Sequence, residues 1–351
     1  MYYYGLNEYM KKIALIIDVP NWAFDIEAKL LKHKLKEFYQ VDIFAVVDYD
    51  KDLFSILEAV REYDIIHFFL RKLLIKLESE EFKAIIVAAG YNYDEYINDV
   101  CPRISTGIYD HLFIEEADEY IDVFTKYCKQ YYTCSKRLEK IYNDLENYPK
   151  PWGTIHDTYD NKLYKNYKNK KFNMSDEFVI GWVGNSKWYI EQKDFKGFCT
   201  ILEPVLDELI AEGYLIRKHY ADRNIIFRTQ EEMPEYYNEL DVCVVVSMCE
   251  GTPRPIIEAM ACGVPIITTD VGLVQESLGP KQKQYIIGSR ENGKNDEEIK
   301  KKLKEKIMDL YNNREKLKEL SKENYEYCMH DDIEHTYMQY KQYFDDFLKR
   351  G

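Results

Sequence analysis

A chain of 351 residues has room for two domains of about 100–200 residues each. With 46% hydrophobic and 31% charged residues it can bury substantial cores, and no run approaches the ~18 unbroken apolar residues of a membrane span. The net charge of −14 disfavours a sequence-independent grip on DNA or anionic lipid, and nothing supports peripheral membrane association. The opening MYYYGLNEYMKK lacks a basic segment followed by an apolar one, so no secretory leader is read there and a cytoplasmic protein is expected. The eight cysteines form no C-x-x-C pair and the seven histidines are dispersed, so no metal site is read and buried free thiols in a reducing compartment are expected.

In chain order, KKIALIID reads as a buried strand and FDIEAKLLKHKLKEF as the helix after it. VDIFAVVDY, KDLFSILEAVREY and DIIHFF continue the strand, helix, strand alternation; KAIIVAAG, RISTGIYDHLF, the helix EADEYIDVFTKYCKQ and the strand YYTCS complete it. Apolar strands alternating with helices predict a mostly parallel sheet covered on both faces. From about Tyr148 to Ser175, Pro, Asn, Lys and Tyr replace the apolar periodicity, as in an interdomain linker. A second alternation opens at EFVIGWVGNS and runs through FCTILEPVLDELIAEG, strands around YLIRKHY and NIIFRT, helix MPEYYNEL, strand DVCVVVS and strand VPIITTD. The charged, helical remainder ends in HTYMQYKQYFDDFLKR.

The segment richest in chemistry is SMCEGTPRPIIEAMACGVPIITTDVGLVQE, Ser247 to Glu276. A strand ends at Ser247 and Glu250-Gly251 turn the chain. Thr252 is the expected N-cap, with Pro253 and Pro255 in the first helical turn, where a missing N–H costs nothing. The helix is expected to stop at Gly263. Its N-terminus, with free N–H groups, is suited to phosphate. Glu250 and Glu258, with seven residues between them, place two carboxylates beside that anion site, as vicinal sugar hydroxyls require. A lone pair of glutamates would read as an ordinary solvated helix entry; the whole block argues otherwise.

This stretch resembles the signature of retaining family 4 (group 1) glycosyltransferases of the GT-B fold, through Glu250, Glu258, Ala259–Gly263 and Pro265. The resemblance implies an α/β protein of two Rossmann-like domains with mostly parallel sheets facing across a cleft. It divides the chain into an acceptor-side domain (1–165), a nucleotide-sugar domain (166–330) and a C-terminal helix (331–351) crossing back to the first, with Tyr337, Tyr340 and Tyr343 as its docking face. The implied reaction is a metal-independent, retaining transfer from a nucleoside-diphosphate sugar to an acceptor hydroxyl, with no cofactor; the acceptor is a glycan, a lipid-linked molecule or a protein. Glu258 would hold the ribose hydroxyls, Glu250 the transferred sugar, and the backbone N–H groups of Gly251, Thr252, Pro253 (which has none to give) and Arg254 mark the loop that approaches the donor.

EFVIGWVGNSKWYIEQKDFKGF resembles the opening of the family's second domain, in which an Arg after the glycine turn and a later Lys hold the donor diphosphate. Lys196-Gly197 matches the later element, while Gly184 is followed by Asn185 where the Arg would stand. Lys187, Lys193 or Arg254 could supply the charge. IHDTYDNKLY, from Ile155 to Tyr164, partly resembles the family's interdomain element. DVPNWAF, Asp18 to Phe24, lacks the glycine usual after the first strand, and Pro20 and Trp22 suggest an aromatic wall. His111 stands where the family often has a catalytic-site histidine, with packing as the equal alternative; His67 reads as buried structure. The competing readings are a sugar-nucleotide epimerase of the same architecture and a non-catalytic donor-binding subunit of a partner transferase.

Overall fold

A computed structural model describes residues 10–111, 114, 117–164, 172, 177–190 and 193–349. The N-terminal half is built on five parallel strands, β1 (Lys12–Ile17), β2 (Gln40–Ala45), β3 (Ile65–Phe68), β4 (Ile104–Ile108) and β5 (Gln130–Thr133), in the order β2-β1-β3-β4-β5. Its inner strands are apolar on both faces because helices cover both sides; Ile13 to Ile17 are buried without interruption.

The C-terminal half carries β6 (Phe178–Gly184), a short hairpin of β7 (Tyr189–Ile190) and β8 (Lys193–Asp194), then β9 (Ile216–Asp222), β10 (Val242–Val245) and β11 (Ile266–Thr268). Four of these form a second parallel sheet in the order β11-β10-β6-β9. In each sheet the first strand of the half has neighbours added on opposite sides, so connections leave in opposite directions and open a crevice at its carboxyl end. Residues 18–23 follow β1 and residues 185–188 follow β6; both segments border the cleft between the halves.

NIIFRT does not form the expected strand. The N–H groups of Ile225 and Ile226 both donate to Asp222 O at 2.9 Å, turning the chain away from the sheet. With no neighbouring strand to cover them, Ile225, Ile226 and Phe227 remain 75%, 50% and 59% exposed. The cysteine expectation needs one amendment: all eight are free and six are buried, but Cys199 is exposed and Cys249 intermediate.

Two chain crossings join the halves. The boundary at 165/166 lies outside the described residues, but the linker before it is ordered by pairing. Ile155 N donates to Thr133 O at 2.9 Å, and Ile333 N donates to Tyr159 O at 3.1 Å where the chain returns. The last helix, Ile333–Lys349, packs on the N-terminal sheet. Tyr340 and Tyr343 are fully buried there, and Tyr337 is partly buried against the same core. Tyr343 OH donates to Gln130 O at 2.9 Å and Tyr340 OH to Glu27 Oε1 at 3.3 Å, so both hydroxyls buried by this helix find partners. His67 is packed beneath this helix, with Nδ1 2.8 Å from Ser105 Oγ; burial pushes its pKa down to about 3 and keeps it neutral.

Candidate functional site

Between the halves lies a cavity of about 790 Å³. The N-terminal half contributes Asn21, Trp22 and Lys29; the C-terminal half contributes the ends of β6, β9 and β10 and the segment Thr252–Glu258. The helix Arg254–Ala261 follows β10 and brings Arg254, Pro255 and Glu258 to the cavity. Thr252 does not cap it. Pro253 occupies the cap position with ψ 88°, and its ring accepts nothing.

Glu258 lies on this helix, buried with one edge on the cavity. Tyr237 OH donates to its Oε2 at 2.9 Å, and Arg254 Nε lies 3.5 Å from Oε1. Burial raises its carboxyl pKa, opposed by the Arg254 charge and the Tyr237 hydrogen bond. Arg254 extends further: Nη1 is 3.4 Å from Glu27 Oε2 on the helix Ala23–Leu35 of the N-terminal half. Glu27 also accepts from Thr158 N at 3.1 Å and from Tyr340 OH at 3.3 Å. A buried charge cluster therefore stitches the helix Arg254–Ala261, the linker and the returning helix together.

Lys196 and Glu250, 54 positions apart, form an ion pair at the cavity wall. The Lys196 ammonium also sits 5.4 Å from the centroid of Trp188. Gly197 follows at φ 67°, and a side chain there would meet Val246 O, so glycine lets the lysine loop lie against the end of β10. Glycine is equally required at 251, where an added methyl would overlap the carbonyl oxygen of Tyr109 in the opposite half.

Of the residues singled out from sequence, Glu250, Glu258, Thr252, Pro253, Arg254, Gly184, Asn185 and Lys196 line the cavity. Gly251, Lys187 and His111 are not among its lining residues. Gly251 faces Tyr109, and Lys187 is exposed. His111 is held beside Arg137 and Asp110, with Nε2 buried and without a hydrogen-bond partner among the described residues; burial and the Arg137 charge lower its pKa. Asn185 Oδ1 is occupied, accepting from Lys187 N at 2.9 Å and Asn224 Nδ2 at 2.6 Å.

Sequence reading missed Glu27, Tyr237 and Arg223, whereas the stretch Arg228–Met233, read from sequence as a place for base recognition, does contribute to the cavity lining. Glu27 and Tyr237 sit on ordinary amphipathic helices, where nothing in their spacing marks them. Arg223 immediately precedes the segment misread as a strand, residues 224–229.

The two facing parallel sheets with a cleft between them constitute a GT-B fold. The crystal structure of Alr3699/HepE from Anabaena in complex with UDP-glucose superposes with a TM-score of 0.63, at 13% identity over 95% of this chain and 99% of that one. Residues 212–327 match the family model for glycosyl transferases group 1. Among curated proteins, it is similar to Protein CapJ of Staphylococcus aureus, 21% identical over 308 residues covering 81% of this chain and 72% of that protein. It is also similar to the lipopolysaccharide core biosynthesis mannosyltransferase LpsB of Rhizobium meliloti (strain 1021), 36% identical over 89 residues, a quarter of this chain (25%) and 24% of that protein.

Proposed function

We propose that this protein is a retaining glycosyltransferase, transferring a sugar from a nucleoside-diphosphate sugar to an acceptor hydroxyl without a metal ion. The observation that carries the reading is the placement of the buried Glu258 carboxylate, the Lys196–Glu250 pair and the N-terminus of the helix Arg254–Ala261 on one interdomain cavity. Glu258, oriented by Tyr237 and Arg254, accepts hydrogen bonds from the ribose hydroxyls. The helix N-terminus and Lys196 face the diphosphate, whose negative charge grows as the glycosidic bond to it breaks. The sugar then passes through an oxocarbenium-like state, with Glu250 beside its hydroxyls. His111, neutral at pH 7 because burial depresses its pKa, turns toward the sugar from the N-terminal half once the donor is seated.

A UDP-sugar is the first donor to try, because the similarly folded HepE was crystallised with UDP-glucose. The test is thermal shift and donor hydrolysis with UDP-, GDP-, ADP- and dTDP-sugars in EDTA, on wild type and Glu258→Ala. Stabilisation by one donor class, lost in the variant, supports the reading; the anomeric configuration of the transferred sugar, read by NMR coupling, then tests retention. If no donor stabilises the wild type, the transferase reading fails.

A further inference from the structure

The cavity holds five cationic side chains, and their pairing separates them. Lys29 lies 2.6 Å from Asp25, Lys196 is paired with Glu250, and Arg254 lies between Glu27 and Glu258. Among the described residues, Arg223 and Arg228 have no carboxylate within 4.0 Å. An anion entering this cleft would compete with paired carboxylates for the first three and would find the last two outside any ion pair, with the Asp18 charge of the opposite half acting on Arg223 at longer range.

Position distinguishes these two arginines. Arg223 N donates to Gly184 O at 3.0 Å, fixing Arg223 beside the glycine turn that ends β6. In that turn the Asn185 amide oxygen is already occupied by Lys187 N and Asn224 Nδ2, and an amide carries no charge in any case. The neighbouring Asp222 carboxylate forms no ion pair with Arg223; its Oδ1 accepts from Ser186 N at 3.2 Å and Asn224 N at 3.0 Å. The Arg223 guanidinium carbon lies 4.1 Å from the centroid of Trp22, which comes from the opposite half, and 5.9 Å from Phe227. Stacking occupies the flat face of a guanidinium and leaves its edge N–H groups free for two oxygens of a phosphate. Arg228 is turned instead over Tyr236, 5.2 Å from its centroid.

We propose that Arg223 binds the phosphates of the nucleotide donor, in place of a cation within the glycine turn, and that Trp22 positions it from across the cleft. The proposal rests on the donor being a nucleoside-diphosphate sugar. It also gives the exposed loop after β9 a purpose: the turn at Asp222–Ile226 lifts the arginine out of the sheet and into the cleft.

The experiment is calorimetric titration of wild type, R223Q, R223K and W22A with UDP and uridine, repeated with GDP and guanosine and with ADP and adenosine. Substitution of Arg223 by Gln is expected to weaken the bound diphosphate by about 10- to 100-fold while leaving the matching nucleoside unchanged. R223K should recover part of the loss, since an ammonium is charged but cannot stack and bridge two oxygens together. W22A should weaken the diphosphate by a smaller factor. Unliganded melting temperatures control for folding. Wild-type diphosphate affinity in R223Q, or equal loss of nucleoside and diphosphate, overturns this inference and leaves the transferase reading standing. A wild type that binds none of these three diphosphates, nor dTDP, overturns both.

Discussion

Arg254 of the helix Arg254–Ala261 lies 3.4 Å from Glu27 of the opposite half, joining the two halves through a buried ion pair. Removing Glu27 leaves Arg254 with Glu258 and takes the acceptor from Thr158 N and Tyr340 OH in a buried cluster. Glu27→Ala should therefore destabilise the protein by about 3 kcal/mol in urea unfolding, with Glu27→Gln milder because the amide can still accept a hydrogen bond. Burial, then the nearby Asp157 charge, raise the Glu27 carboxyl well above its ordinary range, against the pull of Arg254. Because the folded state holds this proton more tightly than the unfolded one, its contribution is full below about pH 4.5 and is lost as pH rises through the folded value. Melting temperature measured across that range should fall less steeply in Glu27→Gln.

His156 in the linker gives a second, separable pH effect. Its Nδ1 is 2.8 Å from Asp331 Oδ1 and its Nε2 is 3.0 Å from Glu276 Oε2. Burial alone would depress its pKa, but the two carboxylates raise it to about 10. The stabilisation is present in full below pH 6.5 and lost as pH rises through about 10. His156→Gln should flatten the melting curve between pH 7 and 10 while leaving the Glu27-dependent slope at lower pH.

Lys196 should be essential for turnover rather than folding. Its ammonium is partly exposed at the cavity and paired with Glu250. Lys196→Ala is expected to lower kcat by about 100- to 1000-fold, the usual loss when a group facing developing negative charge is removed. A near-wild-type kcat would exclude it from the leaving-group site.

Tyr237 should act through Glu258. Removing the hydroxyl that donates to Oε2 at 2.9 Å frees the carboxylate to rotate. Tyr237→Phe should weaken donor binding by about fivefold, corresponding to about 1 kcal/mol for one hydrogen bond. Titration with the donor and with its 2′-deoxy analogue checks this, since only the first should respond fully.

Gly251→Ala tests closure. The added methyl would meet the Tyr109 carbonyl, which is backbone and cannot rotate away. The halves must then separate, and kcat is expected to fall on the order of 100-fold, as a displacement of about 1 Å at the reacting groups would produce.

The parallel sheets were legible in the sequence because continuous apolar runs such as Ile13–Ile17 and Val242–Val245 have no use except between two layers of helices. The candidate site was legible where its chemistry is local: Glu250, Arg254 and Glu258 share one loop and helix, and their spacing alone puts them at one helix end. Other features had no local signal. NIIFRT has the composition of a strand, and the turn in which Ile225 N and Ile226 N donate to Asp222 O takes it away from the sheet. Glu27 meets Arg254, Lys196 meets Glu250, and Trp22 covers Arg223 across 227, 54 and 201 positions of chain. The sequence by itself thus determined the alternation of elements and the helix that bears the carboxylates, because both follow from short-range periodicity and backbone geometry. Which cations remain free for a ligand, and which are spent on internal carboxylates, was decided only by the tertiary structure, since charge pairing depends on distances that chain spacing does not encode.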